Sequence, residues 1–246
     1  FVLGVAAWHL ARKNEVSLFT KAVRIAAPFT LIMALLVGFA GHHQGMNVAE
    51  YQPAKMAAME SHWTTQTRAP MYLLAWPDQE NGRNAIEALP IPGLMSFIAF
   101  NDINAEVKGL SDFAPEDIPP VLPTFLSFRI MVALGCLFIA VAAWAWWRRK
   151  DIAADARLAK ILPWMIPLPY ITIMLGWTVA EVGRQPWIVY NLMRTSDAVS
   201  PVPTSSVLIS VLAFLVIYTL LGLIDIWLLY TNSRKGPEPV KAAEEA

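Results

Sequence analysis

Apolar runs long enough to cross a bilayer alternate with polar, turn-rich stretches along this chain. Phe1–Leu10 is apolar, ends at Arg12-Lys13-Asn14-Glu15, and falls short of the roughly 20 residues that a spanning helix needs. It reads as the second half of a helix, so we expect further sequence upstream, or its counterpart on another chain. After a lead-in carrying Lys21 and Arg24, Ile25–Ala40 predicts a membrane helix that leaves the bilayer at Gly41-His42-His43. Val121–Trp147 predicts a second, with Arg129 as its one charge and Trp144, Trp146 and Trp147 as an interfacial belt backed by Arg148, Arg149 and Lys150. Ile161–Ala180 predicts a third, running straight into Glu181, with Pro163, Pro167 and Pro169 kinking its start. Ser206–Tyr230 predicts the last, with Asp225 near its end.

The stretch from 42 to 120 has no sustained periodicity. Pro53 followed by Ala54 to Trp63 predicts a short helix there, because Pro suits a first helical turn and Ala, Met, Lys and Glu favour helix. Trp76-Pro77-Asp78-Gln79 and Leu89-Pro90-Ile91-Pro92-Gly93 are turn chemistry. A connection this long is usually functional or mobile.

Composition agrees. Of 246 residues, 56% are hydrophobic and 15% charged, where a soluble domain carries about 25% charged residues. The fold class is therefore an all-α integral membrane protein: a transmembrane helix bundle with four full spans, one partial N-terminal helix and a long outer loop. The zero net charge argues against nucleic acid as a partner. The single cysteine, Cys136, excludes an intrachain disulfide or a cysteine-based metal site. If every span crosses once, three basic clusters share one side: Arg12, Lys13, Lys21 and Arg24; Arg148, Arg149, Lys150, Arg157 and Lys160; Arg234, Lys235 and Lys241. The positive-inside rule makes that side cytoplasmic and turns the 42–120 segment outward. The organisation expected is 1–41, the partial helix and one span; 42–120, the outer loop; 121–231, three spans; and 232–246, a polar, disordered cytoplasmic tail.

Unusual polar groups then gather at one depth, near the outer face: Lys55 and Glu60 in the loop helix, Arg129 and Met131 on one span, Glu181 and Arg184 at the exit of another. Glu181 and Arg184 sit at i, i+3 and pair on a helix face; Trp177, at i−4, lies on the same side as Glu181. The pair is either an end-of-helix salt bridge or a carboxylate set to ligate metal or carry protons. Met131 offers a thioether, a known axial ligand of haem iron, though most membrane methionines are packing. Arg129 and Met131 point to roughly opposite sides of their helix. His42 and His43 read as interface histidines, and no HExxH, phosphate loop or dinucleotide fingerprint occurs.

Three blocks carry a family resemblance. GWTVAEVGRQPW at Gly176–Trp187, FRIMVA at Phe128–Ala133 and QPAKMAAMESHW at Gln52–Trp63 resemble, in order, the signature blocks of subunit I of cytochrome bd-type quinol oxidases, of the short quinol-loop kind. The resemblance implies a respiratory terminal oxidase of the bacterial or archaeal cytoplasmic (inner) membrane. Such an enzyme oxidises quinol at the outer face, reduces dioxygen to water and builds a proton motive force without pumping. It implies a low-spin haem b, a high-spin haem b, and haem d or a third haem b. It also implies an oxidase subunit II, a very small accessory subunit, and the N-terminal part of subunit I as partners. By the same resemblance Met131 is the axial ligand of the low-spin haem b with Arg129 beside it. Lys55 and Glu60 serve quinol oxidation in the outer quinol loop. Glu181, with Trp177 and Arg184, belongs to the high-spin haem pocket as iron ligand or proton carrier. His42 stands where an acidic residue is common, and Asp225 where some members have Glu. The alternative is a related haem- or quinol-binding electron-transfer protein that does not reduce oxygen.

Overall fold

The computed structural model describes residues 1–150 and 155–237. Helix α1 (Val2–Ala11) packs into the end of the bundle, and α2 (Val16–Tyr51) runs without a break through Pro28, Gly41 and Gly45. The helix therefore continues well past Gly41-His42-His43, where the apolar run ends. Two glycines weaken a helix by only about 1 kcal/mol each; what stops α2 is Pro53, which drives Gln52 out of the helical region to φ −138°. Pro53 then opens α3 (Pro53–Glu60) at its first turn. Helix α3 ends three residues earlier than the sequence suggested, because Ser61 turns into the left-handed region at φ 53°.

Short β elements follow that the sequence did not reveal. Strand β1 (Gln66–Thr67) is followed by an antiparallel hairpin of β2 (Met71–Asp78) and β3 (Arg83–Ile91), then α4 (Leu94–Phe100) and β4 (Glu106–Val107), which pairs with β1. The hairpin turns at Gln79–Gly82, where Gly82 supplies φ +61°. Pro77 coincides with a register shift after Trp76, the kind of place a strand accepts proline. Helix α4 packs against the extended part of α2, where His42 Nε2 donates to Asn101 Oδ1 at 2.9 Å. His43 packs edge-on to Phe39. His42 is thus tied to α4, while His43 stays exposed.

Helix α5 (Val121–Trp147) matches its predicted bounds. The third span is segmented: α6 (Ala156–Ile161), a 3₁₀ turn at Leu162–Met165, and α7 (Leu168–Val182), with Pro163 and Pro167 at the breaks. Strands β5 (Trp187–Val189) and β6 (Met193–Arg194) lead to α8 (Thr204–Lys235). Among the described residues, four stretches are long and apolar enough to cross a membrane: Val16–Tyr51, Val121–Trp147, Arg157–Val182 and Thr204–Lys235. Residues 232–235, expected in a disordered tail, are the last turn of α8; the tail from 238 on lies outside the described residues.

Burial is concentrated at the two ends of the bundle. At the basic end Leu3, Ala6, Ala7, Leu10, Val23 and Leu158 form a core. There the buried His9 stacks on Phe19 and its Nε2 donates to the Ser233 carbonyl at 2.7 Å. At the loop end Ala57, Ala58, Trp63, Leu110 and Val121 form another. The middles of α2 and α8 present apolar side chains outward, Asp225 remains exposed on α8, and Cys136 is exposed on α5. The loop-end core has one point with no room for a side chain: a Cβ on Gly109 would sit 2.3 Å from the Trp63 carbonyl oxygen. We expect Gly109→Ala to destabilise the assembled protein by about 1–3 kcal/mol, the usual range for overpacking, seen as a lowered thermal midpoint in detergent.

Candidate functional site

Three separate parts of the chain meet at the loop end of the bundle. Helix α3 lies against α5, and α5 lies against α7. Gly183 marks the crossing: a Cβ there would stand 3.0 Å from Thr124 Cγ2 of α5 and 3.3 Å from Lys55 Cε of α3. The firmest obstacle to a side chain is the Val179 carbonyl oxygen of α7 itself, 2.5 Å from that Cβ, so the chain leaves α7 at a point with no spare room.

Glu60 closes α3 and is buried, with its side chain 3% exposed. Its Oε2 accepts from an Arg129 terminal nitrogen at 2.6 Å, across 69 residues of sequence. Arg129 also lies over the Phe125 ring at 5.1 Å. Burial pushes the Glu60 carboxyl up to about 7, against the opposing pull of the Arg129 charge and hydrogen bond. Desolvation disfavours the charged carboxylate more than one guanidinium restores it, so the group is poised to exchange a proton near neutrality.

Lys55, one helical face away, sends Nζ to the Ala180 carbonyl at 3.2 Å, next to Glu181. Burial lowers the Lys55 pKa, the Arg184 charge lowers it further, and the Glu181 charge opposes both. Arg184 donates to Glu181, the i, i+3 pair that the spacing predicted, and both side chains remain more than a third exposed. Gln52, Lys55, Asp117, Arg184 and Tyr190 line one crevice between α3 and the end of α7. Burial also lowers the His62 pKa and raises that of Tyr190.

Met131 is half-buried on α5 and faces α7, not α3: a Cβ on Gly176 would lie 3.2 Å from its sulfur. Arg129 and Met131 thus serve different neighbours, as their spacing indicated. Trp177 shares the helix with Glu181 but is 64% exposed, so its ring faces away from the packed interior. Among the described residues no three His, Cys, Asp or Glu side chains gather as a metal site. The donor set instead suits a group that takes one ligand at a time from a helix face: the thioether of Met131, beside a glycine that leaves its sulfur room, and the half-exposed Glu181 carboxylate. Arg129 Nε and Arg184 Nε are buried without a partner, which suits an anionic edge.

Some of the surroundings were not foreseen. Arg194 NH2 donates to Asp117 Oδ1 at 2.6 Å and its guanidinium lies over Trp187 at 4.9 Å, joining β6 to the loop just before α5. Asn84 and Gln79 of the hairpin bind the ends of α3 and α5. Such contacts join residues far apart in sequence and leave no local signal.

The sequence model described as cytochrome bd terminal oxidase subunit I matches residues 1–237. The chain is 36% identical to a cytochrome bd ubiquinol oxidase subunit 1 of Bacillus subtilis, an alignment covering 97% of this chain and 53% of that protein. It is 34% identical to a putative cytochrome bd menaquinol oxidase subunit I of the same organism, over 99% of this chain and 56% of the relative. It is 27% identical to the cytochrome bd-II ubiquinol oxidase subunit 1 of Escherichia coli, over 99% and 60%. Among solved structures, the bd oxidase from Geobacillus thermodenitrificans superposes with a TM-score of 0.83 at 32% identity, over 96% of this chain and 54% of that one. The chain spans little more than half the length of these relatives. By its match along nearly its whole length, together with the four long apolar helices among its described residues, the chain belongs to the cytochrome bd terminal oxidase subunit I family.

Proposed function

We propose that this chain is part of subunit I of a quinol oxidase that passes electrons from membrane quinol through haems to dioxygen, forming water and a proton motive force without pumping. The observation that carries this reading is the burial of Glu60, at the end of α3, against Arg129, which lies on α5 two residues from Met131, with Lys55 reaching the end of α7. Quinol oxidation releases protons, and a carboxylate near neutrality is suited to receive one. Glu60 is that acceptor. Arg129 holds the carboxylate in place and supports its charged form. Lys55, with its proton affinity lowered, orients the quinol oxygen. The 42–120 segment, whose first residues continue α2, is the quinol loop and lies on the outer side of the membrane.

Bound haem supplies the electron path and the oxygen chemistry. Of this chain's residues, Met131 would hold the low-spin haem b by its sulfur, with Arg129 close by. Glu181 would serve the high-spin haem b, with Trp177 and Arg184 at its border. Subunit II, a very small accessory subunit and the N-terminal part of subunit I would complete the enzyme, with haem d or a third haem b at the oxygen site.

Purification of the complete complex and measurement of its reduced-minus-oxidised spectrum with quinol-dependent oxygen uptake tests this. The expected result is haem b bands together with oxygen consumption. Haem bands without oxygen uptake would assign it to electron transfer short of oxygen, and absence of haem b would reject a haem role.

A further inference from the structure

Asn84, on β3, is the side chain by which the hairpin grips the end of α3. Its Oδ1 accepts from Ser61 Oγ at 2.5 Å and from Trp63 Nε1 at 3.0 Å. Its Nδ2 donates to the Ser61 carbonyl at 3.0 Å and to Glu87 Oε1 at 2.8 Å. These four contacts use the whole donor and acceptor capacity of a primary amide. No other side chain of this length supplies both halves.

The place gripped is a strained one. Ser61 is a non-glycine residue at φ 53°, ψ 45°, immediately after Glu60. Such a conformation persists only where its surroundings over-determine it. Within the chain segment itself, Ser61 N reaches the Ala58 carbonyl at a long 3.3 Å and His62 N the Ala57 carbonyl at 2.8 Å. Asn84 adds a bond to the Ser61 side chain, one to its carbonyl and one to the buried Trp63. The turn that ends α3, and with it the direction in which Glu60 leaves the helix, is held from outside by the hairpin.

The same hairpin also holds the other partner of the ion pair. Gln79, at its tip, accepts from Val121 N at 2.9 Å with Oε1, at the first residue of α5. Helix α5 carries Arg129. One rigid two-stranded element therefore contacts both the end of the helix that presents Glu60 and the start of the helix that presents Arg129.

We propose that Asn84 is a positioning residue for quinol oxidation: it fixes the Ser61 turn and so keeps the Glu60 carboxylate buried against Arg129. The inference rests on Glu60 being the proton acceptor from quinol. Arg129 is the charged group against Glu60, whereas Glu87, from β3, faces Asn84 and His62. Loss of Asn84 loosens the turn and lets water reach Glu60. Since burial is the larger influence on that carboxyl, its titration then moves down toward the ordinary range.

The test is made on the complete complex with Asn84→Ala, Asn84→Asp and Glu60→Gln. Haem content, quinol-dependent kcat and KM, and the pH dependence of kcat are read for each. Asn84→Ala is expected to keep its haem and lose about tenfold in kcat, in line with the cost of small misplacements. Its acidic limb moves to lower pH. Asn84→Asp keeps the two accepting contacts but sets a carboxylate oxygen against the Ser61 carbonyl and the Glu87 carboxylate, and is expected to shift the limb as well. A wild-type kcat and an unmoved limb in Asn84→Ala would overturn the proposal. If Asn84→Ala does not assemble, Asn84→Asp decides: a shifted limb at full haem content supports positioning, and an unshifted one overturns it. Glu60→Gln separates the two levels. If it retains the acidic limb, the assignment of Glu60 fails; if it abolishes the limb while the Asn84 variants leave it in place, only the role of Asn84 fails.

Discussion

Glu60→Gln is expected to lower the quinol-dependent turnover of the complete complex by about 10²- to 10⁴-fold, the range usually lost with a general base. The substitution is informative because it removes the titration with little disturbance of packing. Gln keeps a carbonyl oxygen for Arg129, so the guanidinium retains a partner. Truncation to Ala would instead leave a buried cation alone, which by itself costs about 3–5 kcal/mol. The wild-type rate should rise with pH until Glu60 is deprotonated, near 7, and the Gln variant should lack that limb. Stability runs the other way. The folded pKa is raised above its usual value, so between roughly 4.5 and 7 the folded state holds a proton that the unfolded state has released. The contribution is fully present below the unfolded pKa and is lost as pH rises through the folded one, amounting to about 3 kcal/mol. Glu60→Gln should therefore flatten the dependence of the thermal midpoint on pH across that window. Unchanged quinol turnover in the variant would count decisively against Glu60 as the acceptor.

Met131→Leu should abolish the low-spin haem b signal while the remaining haem signals persist. Leucine matches methionine in bulk and apolarity, and such exchanges usually cost less than about 1.5 kcal/mol. The contact with Gly176 on α7 survives, since that glycine leaves space for either side chain. What disappears is the sulfur lone pair, the only part of the residue that can bond iron. A loss confined to one haem at wild-type complex yield would tie Met131 to ligation. An intact low-spin spectrum would mean that Met131 only packs α5 on α7.

Much of the helical architecture was legible because a bilayer demands long apolar runs, and α5 begins and ends where its apolar run does. The end of α2 was not legible for a definite reason. Gly41, His42 and His43 change the polarity of the chain, but polarity reports solvent, not helix continuity. Backbone hydrogen bonding continues until Pro53 forbids it. The hairpin was hidden because Pro77 and Pro90 lie inside its strands, and because apolar Leu73, Leu74, Trp76, Ile86 and Leu89 fall on both faces, so no alternation appears. In the candidate site, the residue types were readable from the three blocks, and that Lys55, Glu60, Arg129 and Glu181 share one end of the bundle followed from their places along the predicted helices. The partnerships were not. Glu60 with Arg129 and Lys55 with Ala180 span 69 and 125 positions, and only the crossing of α3, α5 and α7 brings them together. The Glu181–Arg184 pair, being local, was the exception.

The uninterrupted course of α2 gives its length a meaning of its own. At about 1.5 Å and 100° per residue, each position between Gly41 and Tyr51 sets both how far α3 begins along the stalk and the azimuth at which it departs. With 36 residues, the helix measures roughly 54 Å against a hydrocarbon core of about 30 Å, so the loop is mounted on a rod and not hung from a tether. The approach of Glu60 to its partner is thus a matter of phase angle. An insertion or deletion in this part of the chain would turn and shift α3, whereas the hairpin tip beyond Gln79 is under no such arithmetic.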